Sequence, residues 1–253
     1  MAEKKIRILS YNIHKGFTSR NQKFVLKEIR DAIRATHADV VFLQEVLGEH
    51  QGHSKRFEDW PVESQFEYMA DSIWGHYAYG RNAVYDEGHH GNAILSKYPI
   101  IRYDNEDVSS SALERRGLLH AVIRPDDFPE LHLVCVHFGL FENDRQMQAR
   151  RLCSRVNAFV DDKQGVVVAG DFNDWALRLS PVLKREARLE EAYHLRHKRH
   201  ARTFPARMPI LRLDRIYFRG LQVKAAKVLH GKPWTNLSDH SPILAELEWN
   251  VQC

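Results

Sequence analysis

Cysteine is scarce in this chain: three among 253 residues, Cys135, Cys153 and Cys253, with no Cys-x-x-Cys pair. An odd count without that spacing argues against a disulfide framework and a cysteine-held zinc centre, and fits a reducing, cytoplasmic compartment. Also missing is an apolar run long enough to act as an export signal or a membrane span, since Lys4, Lys5 and Arg7 lead straight into a strand-like stretch over 6–11. No stable membrane insertion is expected. With no internal repeat and no Gly/Ser-rich linker, residues 1–253 read as one domain. A hydrophobic content of 43% is enough for a substantial core.

The net charge of +4 is modest but unevenly spread. Between Leu195 and Lys232 stand eleven arginines and lysines against one acid, Asp214. A solvated basic face accounts for such a run, and so does an anionic partner such as nucleic acid, phospholipid or a phosphorylated metabolite. No protein partner is legible.

Short apolar runs predict strands over 6–11, 39–44, 91–96, 117–124, 131–138, 166–170, 213–218 and 243–248. Asn21 is placed to cap a helix carrying Leu26, Ile29 and Ile33, and residues 63–71 suit a short helix. Asn143 with Gln146 resembles a helix start, with Leu152, Val156 and Phe159 along one apolar face, and Ser180-Pro181 opens a further helix. Residues 48–61, which include His50 and His53, and residues 81–90 read as polar loops, and Pro125-Asp126-Asp127 as a turn. Single helices between groups of strands predict an α+β arrangement of stacked sheets covered by helices.

The most informative stretch is Val166-Val167-Val168-Ala169-Gly170-Asp171-Phe172-Asn173-Asp174, a buried strand that breaks at Gly170 and then presents Asp171 and Asn173. On its own this is equally a strand followed by an Asx turn. Asn12, Glu45, His137, Asp214, Asp239 and His240 share its setting, each at or beside the end of a strand-like run. Each has an ordinary alternative as a turn residue, a solvated acid or a satisfied core histidine.

Taken in order, SYN (10–12), LQE (43–45), GNAILS (91–96), GDFN (170–173), LDRI (213–216) and SDH (238–240) resemble the endonuclease/exonuclease/phosphatase superfamily, the DNase I-like proteins, over nearly the whole chain. The motifs are short; the ordered set is specific. The resemblance implies a four-layer α/β/β/α sandwich and metal-dependent hydrolysis of a phosphoester by in-line attack of water. It implies Mg²⁺, with Mn²⁺ as the alternative, held chiefly by Glu45 with Asn12 and Asp239. It also implies His240 paired with Asp214, Asp171 and His240 as rival general bases, Asn173 on the nucleophile or a phosphoryl oxygen, and His137 on the phosphate or leaving oxygen.

For substrate contacts, Arg116 is placed to clamp a phosphate, while Arg81, Asn82 and Asn92, around the loop with His89-His90, are candidates for substrate selection. The chain departs from the abasic-site nuclease branch, whose Tyr-x-Pro-Asn element is replaced by Val134-Cys135-Val136-His137-Phe138-Gly139, and it lacks the tryptophans of the inositol-phosphatase branch. The His137 pattern is more similar to the branch of DNase I, the neutral sphingomyelinases and the deadenylases. A phosphodiesterase acting on nucleic acid is therefore the leading expectation. A phospholipid or small-metabolite phosphodiesterase or phosphatase is second, and a non-catalytic binding protein on the same fold a remote third.

Overall fold

Period-two alternation along the strands builds this molecule, and both phases of the alternation are apolar because each sheet is covered on both faces. In a computed structural model that describes residues 5–249, apart from 51–59, 72, 86–87, 112–113 and 127, two six-stranded sheets stack face to face. The first sheet runs, in spatial order, β11 (Leu221–Val228), β12 (Ile243–Trp249), β1 (Lys5–Asn12), β2 (Val40–His50), β4 (Gly88–Ser96) and β3 (His76–Tyr85). The second runs β5 (Ile100–Asp107), β6 (Gly117–Ile123), β7 (Leu131–His137), β8 (Gly165–Asp171), β10 (Asp214–Arg219) and β9 (Glu190–Glu191).

Ile6 and Ile8 of β1, Val40 and Phe42 of β2, Leu131, Leu133 and Cys135 of β7, and Val167 and Ala169 of β8 fill the space between the sheets. The residues out of phase with them, such as Leu9, Tyr11, Val41 and Leu43, form the outer layer of the first sheet beneath α1 (Leu26–Arg34) and α2 (Gln65–Ala70). Val134, Val136, Val166 and Val168 do the same for the second sheet beneath α3 (Glu142–Phe159) and α4 (Leu179–Ala187). A short α5 (Ala192–His197) packs beside β10 and β11. The result is the four-layer α/β/β/α sandwich. Among the described residues no helix is long and apolar enough to cross a membrane.

The inner-face phase turns polar at one end of several strands. Ile6 and Ile8 lead to Asn12, Phe42 to Gln44, Cys135 to His137 and Ala169 to Asp171, while Asp214 precedes Ile216 and Phe218. One end of the inter-sheet core is thus lined with hydrogen-bonding groups.

Several local expectations need correction. Residues 81–90 are not a loop: they lie mostly in the β3–β4 hairpin, whose polar sequence disguises the pairing of Arg81 with Gly91 and Val84 with His89. The first long helix starts at Leu26 after Val25, with Asn21 in a separate turn of 3₁₀ helix, and α3 begins at Glu142, ahead of Asn143. Phe159 is 60% exposed, off the apolar face. Strand β2 runs on to His50, so Glu45 lies inside it. Strands β5 and β11 escaped notice because they are sheet edges with largely exposed, polar sequences. His53, Asp127 and Cys253 lie outside the described residues.

Gly170 is required by the close approach of β8 to β7. Its φ is +150°, and a Cβ there would lie 1.9 Å from the Val136 carbonyl oxygen. Gly170→Ala is expected to cost at least about 1–3 kcal/mol, through a backbone shift that forces the two strands apart. A denaturant midpoint equal to that of the wild type would contradict this.

Candidate active site

Strand register brings the polar tips level. Asp171 pairs with Asp214 across β8 and β10, and with His137 across β7 and β8. The Asp171 carboxylate, 2% exposed, is the common neighbour. Its Oδ2 is 3.7 Å from His137 Nε2 and 3.7 Å from His240 Nε2, and accepts from Asn12 Nδ2 at 3.3 Å. Its Oδ1 accepts from the Asn173 backbone N–H at 2.9 Å. Asn173, in the left-handed region at φ 49°, turns its amide to donate to the Phe138 carbonyl at 2.9 Å. His240 Nδ1 is bonded to Asp214 Oδ2 at 2.8 Å.

The first sheet supplies the facing wall. Between Leu43 and Val46 the β2–β4 register slips, so that Gln44 and Glu45 together oppose Asn92, a bulge that places Glu45 at φ 55° and turns its carboxylate inward. Glu45 Oε1 accepts from Asn12 Nδ2 at 3.1 Å, so one amide links the carboxylates of both sheets. The Asn12 side-chain oxygen, Oδ1, accepts from the His14 backbone N–H at 3.1 Å. His14, two residues beyond Asn12 and passed over in reading the sequence, sets its Nδ1 3.8 Å from Glu45 Oε2 and 3.5 Å from Asp239 Oδ1. Ser238 Oγ donates to the Asn12 carbonyl at 2.8 Å and fixes the turn carrying Asp239 and His240.

Charge is distributed unequally. Burial lifts the Asp171 carboxyl to about 6, with the Asp214 charge adding to this and the His240 charge opposing it. Burial disfavours a charged His240, but the carboxylates of Asp214 and Asp171 outweigh it and raise the ring to about 10. His137, pushed well down by burial and by Arg116, is neutral. Burial raises Glu45, yet the bond from the Asn12 amide and the charge of Lys15 oppose it, and the carboxyl is held below its ordinary value. At neutral pH the site therefore holds an imidazolium, an anionic Glu45 and a carboxyl poised near neutrality.

The remaining candidates divide. Arg116 donates to Glu114 at 2.8 Å yet lies close enough to depress His137, and His90, depressed to about 4 by burial and then by Lys15, lies on the same side. Asn92 is a strut between the sheets, donating to the Gly117 and Cys135 carbonyls at 3.3 and 3.4 Å. Arg81 and Asn82 are tied to edge strand β5 through Asn105, which donates to the Arg81 carbonyl and to Asn82 Oδ1.

A pair absent from the sequence reading, Asp174 and Arg215, fixes the loop behind Asp171. Both side chains are fully buried, 2.9 Å apart; Asp174 also accepts the Arg178 and Leu179 N–H groups, and Arg215 reaches the Asp174 carbonyl and Tyr217. The two residues sit directly after GDFN and inside LDRI, so their adjacency to motif residues was the available signal.

Asp171, Asp214 and His240 each bring one ligand-type atom within 4.8 Å of the others. With Nδ1 committed to Asp214 and the ring protonated, His240 belongs to an acid–base cluster and has no lone pair for a metal. Glu45 and Asp239 suit a cation better. Both face His14 Nδ1, and at 20% and 21% exposure their carboxylates remain open to water, a hard oxygen donor set suited to a divalent ion that retains its own waters.

The model of the endonuclease/exonuclease/phosphatase family matches residues 9–240, and the chain belongs to that family, whose members hydrolyse phosphoesters and are generally dependent on divalent metals. Among its relatives is the Escherichia coli K12 uncharacterized protein YbhP, 48% identical over 242 residues and covering 95% of each chain. The fold is shared with an endonuclease/exonuclease/phosphatase from Beutenbergia cavernae (TM-score 0.77, 18% identity, 97% of this chain and 72% of that one). It is shared also with the human Nocturnin catalytic domain with bound sulfate anion (TM-score 0.76, 17% identity, 98% and 94%).

Because Arg215 is the only cation bonded to buried Asp174 among the described residues, Arg215→Leu is expected to lower stability by about 3–5 kcal/mol through the stranded carboxylate. The double variant Arg215→Leu with Asp174→Leu should recover part of the loss. Single-variant stability within error of the wild type would show that the pair does not fix this loop.

Proposed function

We propose that this protein is a Mg²⁺-dependent phosphodiesterase, with Mn²⁺ able to substitute, and that its substrate is nucleic acid or a related phosphodiester. The observation that carries the reading is the buried Asp171 carboxyl set 3.7 Å from both the His137 and the His240 Nε2 atoms and joined through the Asn12 amide to Glu45 on the facing sheet. A divalent ion held by Glu45 and Asp239, with Asn12 orienting Glu45 through its amide, would supply Lewis-acid polarisation of the phosphoryl group.

The other roles fall to the chain's own side chains. Asp171 Oδ2 takes the proton of the attacking water, which its elevated pKa suits. His240, held by Asp214 through Nδ1, presents Nε2–H to a non-bridging oxygen as charge develops there. His137 presents a neutral N–H to the phosphate or the departing oxygen, and Asn173 keeps Asp171 aligned through its backbone N–H. Assigning the base to Asp171 follows from charge: an imidazole protonated up to about 10 has no lone pair to offer at neutral pH.

The basic stretch between Leu195 and Lys232 favours nucleic acid over a phospholipid or small metabolite, since phosphate contacts dominate such affinity. Buried, unpaired Cys135 and Cys153 support a cytoplasmic setting.

Turnover of a model phosphodiester should exceed that of a monoester, require added Mg²⁺, and fall by at least ~10²-fold in Asp171→Asn and Glu45→Gln. Since Asp171 must be ionised and His240 protonated, kcat/KM should fall below pH about 6 and above about 10. Preference for the monoester would move the protein to the phosphatases, and full activity in Asp171→Asn would remove the proposed base.

A further inference from the structure

The basic stretch separates in the fold into engaged and unengaged cations. Arg215 is buried on Asp174, Arg219 donates to the Ala187 and Val160 carbonyls, and Lys224 pairs with Glu248. Arg199, Arg202, Arg207 and Arg212 differ: among the described residues their guanidinium groups have neither hydrogen bond nor ion pair, and all four line one cavity of about 550 Å³ with His200 and His230. Among the described residues no acid lines that cavity. Four like charges around one concavity repel each other, and an anion entering it removes that cost while meeting planar donor forks suited to phosphate.

The cavity adjoins the active site. Ala206 and Arg207 also line a second space of about 320 Å³ that reaches Ser238 and Asp239. The connecting loop is fastened there: the Ala206 N–H donates to the Asp239 carbonyl at 2.7 Å, the Ser241 N–H to the Thr203 carbonyl at 2.8 Å, and the Phe204 ring packs on His240 with centroids 4.9 Å apart. A ligand reaching both spaces needs phosphates at successive positions, which a nucleotide strand has and a lone phosphomonoester lacks. A concavity of this size admits a flexible strand more readily than the stiff rod of a duplex.

We infer that the cavity of Arg199, Arg202, Arg207 and Arg212 is a second phosphate-binding subsite, which holds the phosphates of a single-stranded nucleic acid beyond the one being cleaved. The inference rests on the phosphodiesterase reading for what happens at the catalytic end; strand binding at the arginines is separable from cleavage.

The test uses the full chain, the double variants R199Q/R202Q and R207Q/R212Q, and a fluorescein-labelled oligothymidylate of about twelve nucleotides. Binding is followed by anisotropy in EDTA across a salt series, with turnover of a model diester bearing a single phosphate measured in parallel with Mg²⁺. Each double variant should bind the strand at least ~10-fold more weakly, and its slope of log K against log salt should shrink by about 1.4, the release of two phosphate contacts. Model-diester turnover and melting temperature should be unchanged. An absence of strand binding in the wild type, or an unaltered slope in both variants, overturns the inference. So does retention on phosphatidylglycerol vesicles by a protein that does not bind the oligonucleotide. Strand binding with the expected losses, but no diester turnover by any version, sinks the phosphodiesterase reading and leaves the subsite standing.

Discussion

A carboxyl group buried between two imidazoles is the constraint on which this site depends. Asp171 is almost without contact with water, and its neighbours decide whether it carries charge: the His240 ring and the donors Asn12 and Asn173 favour the ion, while burial and Asp214 oppose it. The opposing influences leave its pKa at about 6, above that of a solvated aspartate, so that it is ionised at neutral pH yet a stronger base. Such a network is costly if a member is lost, because the buried groups bonded to it would each lose a partner.

The scaffold makes this arrangement possible by ending one hydrophobic layer in polar side chains. The inner phases of β1, β7, β8 and β10 pass from aliphatic to polar at the same end of the sandwich, and strand register aligns His137, Asp171 and Asp214. Inter-sheet bonds from Asn92 to the Gly117 and Cys135 carbonyls, and from Gln44 to the Cys135 sulfur, hold the sheets in register close to the site. The β2 bulge then supplies what alternation alone does not, a second consecutive inward residue, Glu45. The buried Asp174–Arg215 pair secures the loop on the far side.

Much of this was legible in the sequence, for identifiable reasons. Central strands buried on both faces read as uninterrupted apolar runs, and the polar residue that ends each run marked the site; this is how Asn12, His137, Asp171 and Asp214 emerged. The edge strands β5 and β11 and the β3–β4 hairpin were missed because exposed pairing leaves no apolar signature. The bulge at Glu45 was invisible because a left-handed residue within a strand is set by tertiary packing rather than by local preference. His14 was overlooked because its role depends on Glu45 and Asp239, which arrive from distant parts of the chain. The basic segment was visible as charge alone; only the fold separates arginines that brace the structure from those that face an open cavity.

The most direct measurement is a carbon-13 NMR titration of the Asp171 side-chain carboxyl, with the His240 ring nitrogens followed in the same sample. The account predicts an Asp171 midpoint near 6 while His240 stays protonated through neutral pH. An Asp171 midpoint at the ordinary carboxylate value of about 4, together with a neutral His240 ring at pH 7, would contradict it.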